Sequence, residues 1–291
     1  MNLKFWKPNK QKSKKRGFEA ASKSKRLKGW FASGRSANSE TSIGLPMLRN
    51  RSRDLRRNNA HAAKAIQVIT SNVVGPGIKT QFTDPGFDGT QDGPVEAAWK
   101  QWANSKNIDY DGKHNLEAMQ GLVMDAVVES GEVLIRKRFN SALRYPLQYQ
   151  VLESDFLAIS KTGLAPERGN TIIQGIEFDE QGRRVAYWLY DRHPGGQDKF
   201  GLFQQVEAQR VPVDEVLHVY RQERPGQARG VPWGAPCMVR LKDLDDFADA
   251  TVMRQKVAAC FTAFVRELNP ELVERPDEDC ELMERLEPAL I

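Results

Sequence analysis

Cysteine is scarce in this chain. Cys237, Cys260 and Cys280 stand 23 and 20 residues apart, with no Cys-x-x-Cys pair and no histidine at metal-ligand spacing. That argues against a zinc site and against a disulfide framework. Reduced thiols in a cytosolic compartment are the expectation. Long apolar runs are also missing: none approaches the roughly 18 residues of a membrane helix, and Lys4, Lys7 and Lys10 interrupt the place where a signal peptide carries its apolar stretch. A chain that neither spans a membrane nor is secreted is expected. Catalytic signatures are absent too. There is no Gly-x-Ser-x-Gly, His-Glu-x-x-His or Gly-x-Gly-x-x-Gly, and His61, His114, His193 and His218 are scattered over four elements. Gly75-Pro76-Gly77-Ile78-Lys79-Thr80 approaches a phosphate-binding loop, but Ile78 separates the glycine from the lysine that the loop requires next to it. No cofactor, no metal and no catalytic residue are expected.

What is present is ordinary globular material with an unusual charge layout. The 291 residues are 40% hydrophobic, enough for a normal core, and the length suits roughly two domains of about 100–200 residues. The net charge of +5 conceals a strong asymmetry. Residues 1–60 hold 17 Lys and Arg against 3 Asp and Glu, a net of +14, which leaves −9 for the remainder. Residues 266–291 hold 3 Arg and 9 acidic groups, a net of −6. The basic run includes Lys12, Lys14, Lys15, Arg16, Lys25 and Arg26. It reads either as a solvated tail, since such charge density repels itself, or as an electrostatic contact to nucleic acid or an acidic protein, with Phe18, Trp30 and Phe31 as anchors.

Periodicity places the elements. Pro46 suits a first helical position, and Leu48, Leu55, Ala62, Ile66, Ile69 and Val73 lie along one face, so a single helix from 46 to about 74 is predicted, ended by Gly75-Pro76-Gly77. Arg49, Arg51, Arg53, Arg56 and Arg57 fall on the other turns and read as a solvated face, with a subunit or phosphate contact as the sharper alternative. Ile78–Phe82 reads as extended. Helices are predicted over about 94–104 and over about 116–130, the latter capped by Asn115 and stopped by Gly131. Val133–Phe139, Leu147–Leu152, Thr171–Asp179, Arg184–Tyr190 and Glu215–Tyr220 read as short strands, with Asp179-Glu180-Gln181-Gly182 as a hairpin turn. A long helix follows from about 235 to 264, whose least polar strip is Leu241, Leu244, Ala248, Thr251, Val252, Ala258 and Ala259. The fold class is α+β.

The long helix also carries Asp243, Asp246 and Asp249 at steps of three. Three readings stand for them: a solvated acidic face, a functional electrostatic surface, or carboxylates sharing a divalent ion in a nuclease-like site.

Several segments occur together and in order: Arg51-Ser-Arg-Asp-Leu-Arg-Arg-Asn-Asn59, Val73-Val-Gly-Pro-Gly-Ile-Lys79, Ser130-Gly-Glu-Val-Leu134, Gly175-Ile-Glu-Phe-Asp179 with Arg184-Val-Ala-Tyr-Trp188, Val213-Asp-Glu-Val-Leu-His218, Glu223-Arg-Pro-Gly-Gln-Ala-Arg-Gly-Val-Pro-Trp233 and Leu241-Lys-Asp-Leu-Asp-Asp-Phe247. Over roughly residues 17–265 the chain resembles the lambda-like family of tailed-bacteriophage portal proteins.

The resemblance implies a portal-type wing of helices and short mixed or antiparallel strands followed by a long stem-type helix. In those terms residues 1–45 are a basic, disordered tail, 46–230 the wing-like body, 231–265 the stem-like helix and 266–291 the acidic start of a clip-like region, truncated relative to longer family members. It further implies a structural protein without catalytic residues: a dodecameric ring of copies at the capsid vertex, assembled in the host cytoplasm and resident in the virion. Its partners would be the terminase large subunit, scaffold and major capsid protein, and head-completion or tail connector proteins, with double-stranded DNA passing non-specifically and no membrane. Asp243, Asp246 and Asp249 would then face the DNA channel, where an acidic wall keeps a polyanion centred; Arg240 and Lys242 are candidates to pair with a neighbour's aspartates. A metal-dependent DNA-processing enzyme using the aspartates and a non-assembling prophage remnant are the alternatives.

Overall fold

The structure is a computed structural model that describes residues 19–21, 25–82, 93–166, 169–196 and 206–267. It divides into two units, residues 1–36 and residues 37–291. The described part of the first unit holds two short 3-10 turns, Glu19–Ala21 and Lys25–Leu27. Trp30 and Phe31 are exposed there.

The second unit begins with α1 (Ala37–Asn58) and α2 (Ala60–Val73). The single helix predicted from Pro46 is therefore corrected at both ends of its logic. The helix starts earlier, and Pro46 lies inside α1. The proline forfeits one backbone hydrogen bond, but Ala37 and Leu45 on the same helix are buried, so tertiary packing keeps the first turns helical. The helix is also broken at Asn59, which is extended (φ −112°, ψ 115°) and caps α2. Its side chain accepts from the Ala62 amide at 2.7 Å while donating to Asp245 Oδ2 at 2.8 Å. One buried amide thus starts α2 and tethers the long C-terminal helix. Asn59→Ala should cost about 1–2 kcal/mol, read as a lower urea midpoint at unchanged slope.

Two helices were placed correctly by pattern: α3 (Pro94–Asn104) and α4 (Leu116–Ser130), the latter with the Asn115 cap on the Ala118 amide and left-handed Gly131 at its end. Ile78–Phe82 is not a ladder strand. The side chain of Gln120 on α4 instead accepts from the Ile78 amide at 2.6 Å and donates to its carbonyl at 3.1 Å.

The strands are β1 (Glu132–Phe139), β2 (Leu147–Glu153), β3 (Gly163–Leu164), β4 (Thr171–Ile173), β5 (Ile176–Phe178), β6 (Arg184–Tyr190), β7 (Ala208–Pro212) and β8 (Val216–Tyr220). They form two sheets with the orders β2-β1-β8 and β3-β4-β5-β6-β7, and every ladder between named strands is antiparallel. The strand predicted over Thr171–Asp179 is two strands. Gln174 and Gly175 both have positive φ, 50° and 86°, and fold the segment back so that Ile173 pairs with Ile176, the geometry of a two-residue hairpin turn. β3 and β7 were not predicted; one is two residues long and the other, Ala-Gln-Arg-Val-Pro, is mostly exposed and has no apolar alternation.

Alternation on β2 explains the layering. Leu147, Tyr149 and Val151 point to Trp102, Ile108 and Met119, packing the smaller sheet on α3 and α4. Leu152 points the other way, and with Leu134 and Val216 it meets Ile176, Tyr187, Leu189 and Val211 of the larger sheet. The last element, α5 (Met238–Glu267), is 30 residues long, about 45 Å. Its contribution to a buried cluster is confined to its first turn, where Met238 and Leu241 pack with Leu48, Leu55 and Ala62. Of the strip predicted to be apolar, Leu244, Ala248 and Val252 are exposed.

Candidate functional site: a buried charge knot at the root of an exposed helix

The turn that ends α4 delivers Glu132 directly into the interior. Its side chain is fully buried, and both carboxylate oxygens are occupied. Oε1 takes a guanidinium hydrogen bond from Arg49 of α1 and another from Arg229 Nε at 2.8 Å. Oε2 takes the Gly230 amide at 2.7 Å and faces His218 Nε2 of β8 at 3.0 Å. Arg229 extends the knot by donating to the carbonyls of Gln174 at 2.8 Å and Ser154 at 3.3 Å. Asn38 of α1 clamps the same segment, donating to the Gly226 carbonyl at 3.0 Å and accepting from the Ala228 amide at 2.8 Å. Gln174 in turn donates to the Asn38 carbonyl at 2.7 Å. The segment 226–230 is thereby tied to α1, both sheets and the end of α4.

The electrostatics follow from burial and proximity. Burial alone would raise the Glu132 carboxyl, but Arg229 and Arg49 beside it outweigh that and hold it well below the usual carboxylate range. Burial pushes the Arg49 guanidinium down to about 10, against the pull of Glu132, with Arg229 adding to the drop. Burial likewise pushes the His218 imidazole below its ordinary value; Glu132 opposes this, and Arg229 and Arg184 reinforce it. With four donors on two oxygens, the carboxylate has little capacity left to act as a base. The knot holds backbone in place.

The five arginines of the α1 surface pattern separate sharply in the structure. Arg49 is in the knot. Arg53 bonds Asp155 and lies 3.1 Å from Glu153, while Arg56 reaches Asp125 at 2.8 Å and Glu129 at 3.5 Å. Only Arg51 and Arg57 have the exposure expected of a solvated face. Thr70 also donates to Asp125, at 2.6 Å. That shared carboxylate forms one wall of an open groove of about 630 Å³ between α2 and α4.

Asp243, Asp246 and Asp249 are all exposed on α5. Asp246 pairs with Lys242 one turn back at 2.6 Å, so Lys242 is engaged within its own helix. Steps of three along a helix rotate each carboxylate by about 60°, so the trio fans over about 120° and does not converge on one ion. The one group of potential ligands that does converge among the described residues is Glu153, Asp155 and His193, with ligand atoms within 4.8 Å of one another. Arg53 already supplies the cation there. Lys25 and Arg26 are exposed in a 3-10 turn, whereas Lys12, Lys14, Lys15 and Arg16 lie outside the described residues. Reading the sequence missed Glu132, Arg49, His218 and Arg229 as a group. The available signal was a glutamate opening an apolar strand directly after a helix-stopping glycine.

A sequence model of the family described as phage portal protein, lambda family, matches residues 23–289. The chain is 32% identical over 239 residues to a probable portal protein of Halomonas phage phiHAP-1, covering 80% of this chain and 45% of that protein. It is 23% identical over 258 residues to the portal protein of Escherichia phage N15, covering 82% of this chain and 47% of the relative. With portal protein B of Escherichia phage lambda the identity is 24% over 230 residues, 74% of this chain and 42% of the other. The chain thus spans somewhat under half the length of these curated relatives. Portal proteins are structural and not enzymes, so the reading of the aspartates as a nuclease-like site is set aside.

Proposed function

Because this chain belongs to the lambda family of phage portal proteins, we propose that it is a subunit of the ring at the capsid vertex through which DNA is packaged and ejected. The observation that carries the reading is α5. The helix exposes Val239 within its first turn and, beyond it, Leu244, Phe247, Val252, Met253 and Val257 on several sides, Phe247 at 68%. Large apolar side chains repeated along an otherwise unpacked helix gain free energy when neighbours cover them. In a ring each α5 lies between two others, and two flanks are covered at once.

In this arrangement residues 37–230 act as the wing-like body and α5 as the stem-like helix. Twelve copies close the ring, the terminase large subunit docks on it, and scaffold, major capsid and head-completion proteins surround it. Asp243, Asp246 and Asp249 supply an acidic lining. A conduit must pass a polyanion without gripping it, and repulsion from all sides does so without the strong salt dependence of phosphate binding. The basic tail, with Lys25 and Arg26, contacts acidic assembly partners or packaged DNA.

Mass measurement and electron microscopy of the purified chain test this. A closed ring is expected, and Phe247→Asp should shift the population to monomer by at least about tenfold, the effect of about 1.4 kcal/mol per interface. A wild-type chain that stays monomeric at every concentration would overturn the proposal. A ring map with the three carboxylates buried in ion pairs between subunits would remove the acidic lining alone.

A further inference from the structure

We infer that the Glu132 knot is an acid-sensitive latch on the root of α5: protonation of His218 releases segment 226–233 from β1 while the two sheets stay intact. The inference concerns single-chain geometry and holds whether or not the chain closes a ring.

The argument starts from which imidazole the site accepts. His218 Nε2 lies 3.0 Å from Glu132 Oε2, so in the neutral ring this nitrogen carries the hydrogen and donates. Nδ1 is buried without a hydrogen-bond partner. As a lone pair it is tolerated, but protonation turns it into a buried donor with no acceptor, which is costly. Protonation also adds a cation to a group already rich in them. From β1 the ring meets Glu132, from the 226–230 segment Arg229, and from β6 Arg184 and Tyr187. Tyr220 of its own strand stacks at 4.6 Å. Arg49 of α1 shares the carboxylate, with Asp155 lying toward Arg49. One carboxylate therefore already balances two guanidiniums, Arg49 and Arg229, before any imidazolium forms, and burial disfavours the charged ring.

Which cation yields is decided by what carries it. Arg49 sits mid-helix in α1 and Arg184 opens a strand paired on both sides. Arg229 sits on a segment outside every ladder, flanked by isolated backbone bonds, 3.2 Å from the Gln227 amide to the Arg224 carbonyl and 3.2 Å from the Trp233 amide to the Val128 carbonyl, where a paired strand is held by a row of them. Local opening draws on such segments first. Residues 226–233 also lead straight into Ala235 and Met238, which seat α5 against Leu48, Leu55 and Ala62. Releasing the segment removes one of the ties at the root of α5 and leaves that seat and the Asn59–Asp245 hydrogen bond to hold the helix.

Hydrogen exchange by mass spectrometry on the full chain, between about pH 7.5 and about pH 5 and corrected for intrinsic rates, tests the latch. Peptides covering 226–241 should lose protection by up to about tenfold per pH unit below the ordinary imidazole range, with β1 and β6 unchanged. In His218→Gln, whose amide still donates to Glu132 but does not titrate, the acid response should vanish. An equal response in wild type and variant overturns the latch, and so does a rise shared equally by β1 and β6. Should the variant not fold, the titration of the His218 ring followed by NMR in the wild type must share its midpoint with the exchange of 226–241; separate midpoints overturn it equally.

Discussion

Glu132→Ala is expected to destabilise the protein by about 3–5 kcal/mol, the usual cost of breaking a buried ion pair from one side. The carboxylate neutralises Arg49 and Arg229 together, and all three side chains are essentially inaccessible to water. Its removal leaves two guanidiniums in low dielectric without a counter-charge, and the Gly230 amide loses its acceptor. Measured against a total of about 5–15 kcal/mol for a typical domain, that is a large share. Urea unfolding followed by circular dichroism reads it. A loss below about 1 kcal/mol would show that water reaches the knot or that the arginines find other partners. Combining Glu132→Ala with Arg49→Met should recover part of the loss, because one uncompensated charge is then removed. The pH dependence has a definite sign. The Glu132 carboxyl is held well below its ordinary range, so its contribution is complete above that range and disappears as pH falls through the folded-state value. His218, also shifted down, adds a second loss that begins higher, as pH drops below about 6.5.

Gly230→Ala should be nearly as damaging for a different reason. A Cβ on Gly230 would sit 2.1 Å from the Gly131 carbonyl oxygen and 2.7 Å from its carbon, and a Cβ on Gly131 would sit 2.3 Å from the Val231 carbonyl carbon. These are backbone atoms that cannot rotate away. The two glycines exist as a pair so that the 226–233 segment can cross the α4–β1 junction in direct contact. Gly131 additionally has φ +88°, costly for any other residue. About 3 kcal/mol or more is expected for Gly230→Ala, lowering the melting temperature by about 6–12 °C for a domain of this size. Gly226→Ala, with open space around the position, is the control and should cost only the strain of its positive φ, about 1–3 kcal/mol. Equal shifts for Gly226→Ala and Gly230→Ala would remove close approach as the explanation.

Much of this architecture was readable from the sequence because it depends on neighbours three or four residues apart. The apolar stripe from Leu116 to Val127, the Asn115 cap and the Gly131 stop put α4 at its observed limits, Leu116–Ser130. Asp179 and Gly182 marked a real turn, with the Gly182 amide donating to the Asp179 carbonyl at 3.0 Å. No described helix is long and apolar enough to cross a membrane. The clustering of Asp243, Asp246 and Asp249 needed only helical spacing.

Tertiary structure alone decided the rest. Nothing local distinguishes Arg49 from Arg51, two residues away on the same helix, yet one is 1% exposed and the other lies in the exposed class. The amide that caps α2 at Asn59 also reaches Asp245, 186 positions later, a partner that no local pattern announces. Pro46 invited a helix start that the burial of Leu45 overrode. The knot brings Glu132 to Arg49, His218 and Arg229 across separations of 83, 86 and 97 residues. Helix and strand propensities are sums over short windows. Whether a charge ends in water or against a counter-charge depends on which distant surface the finished fold lays over it.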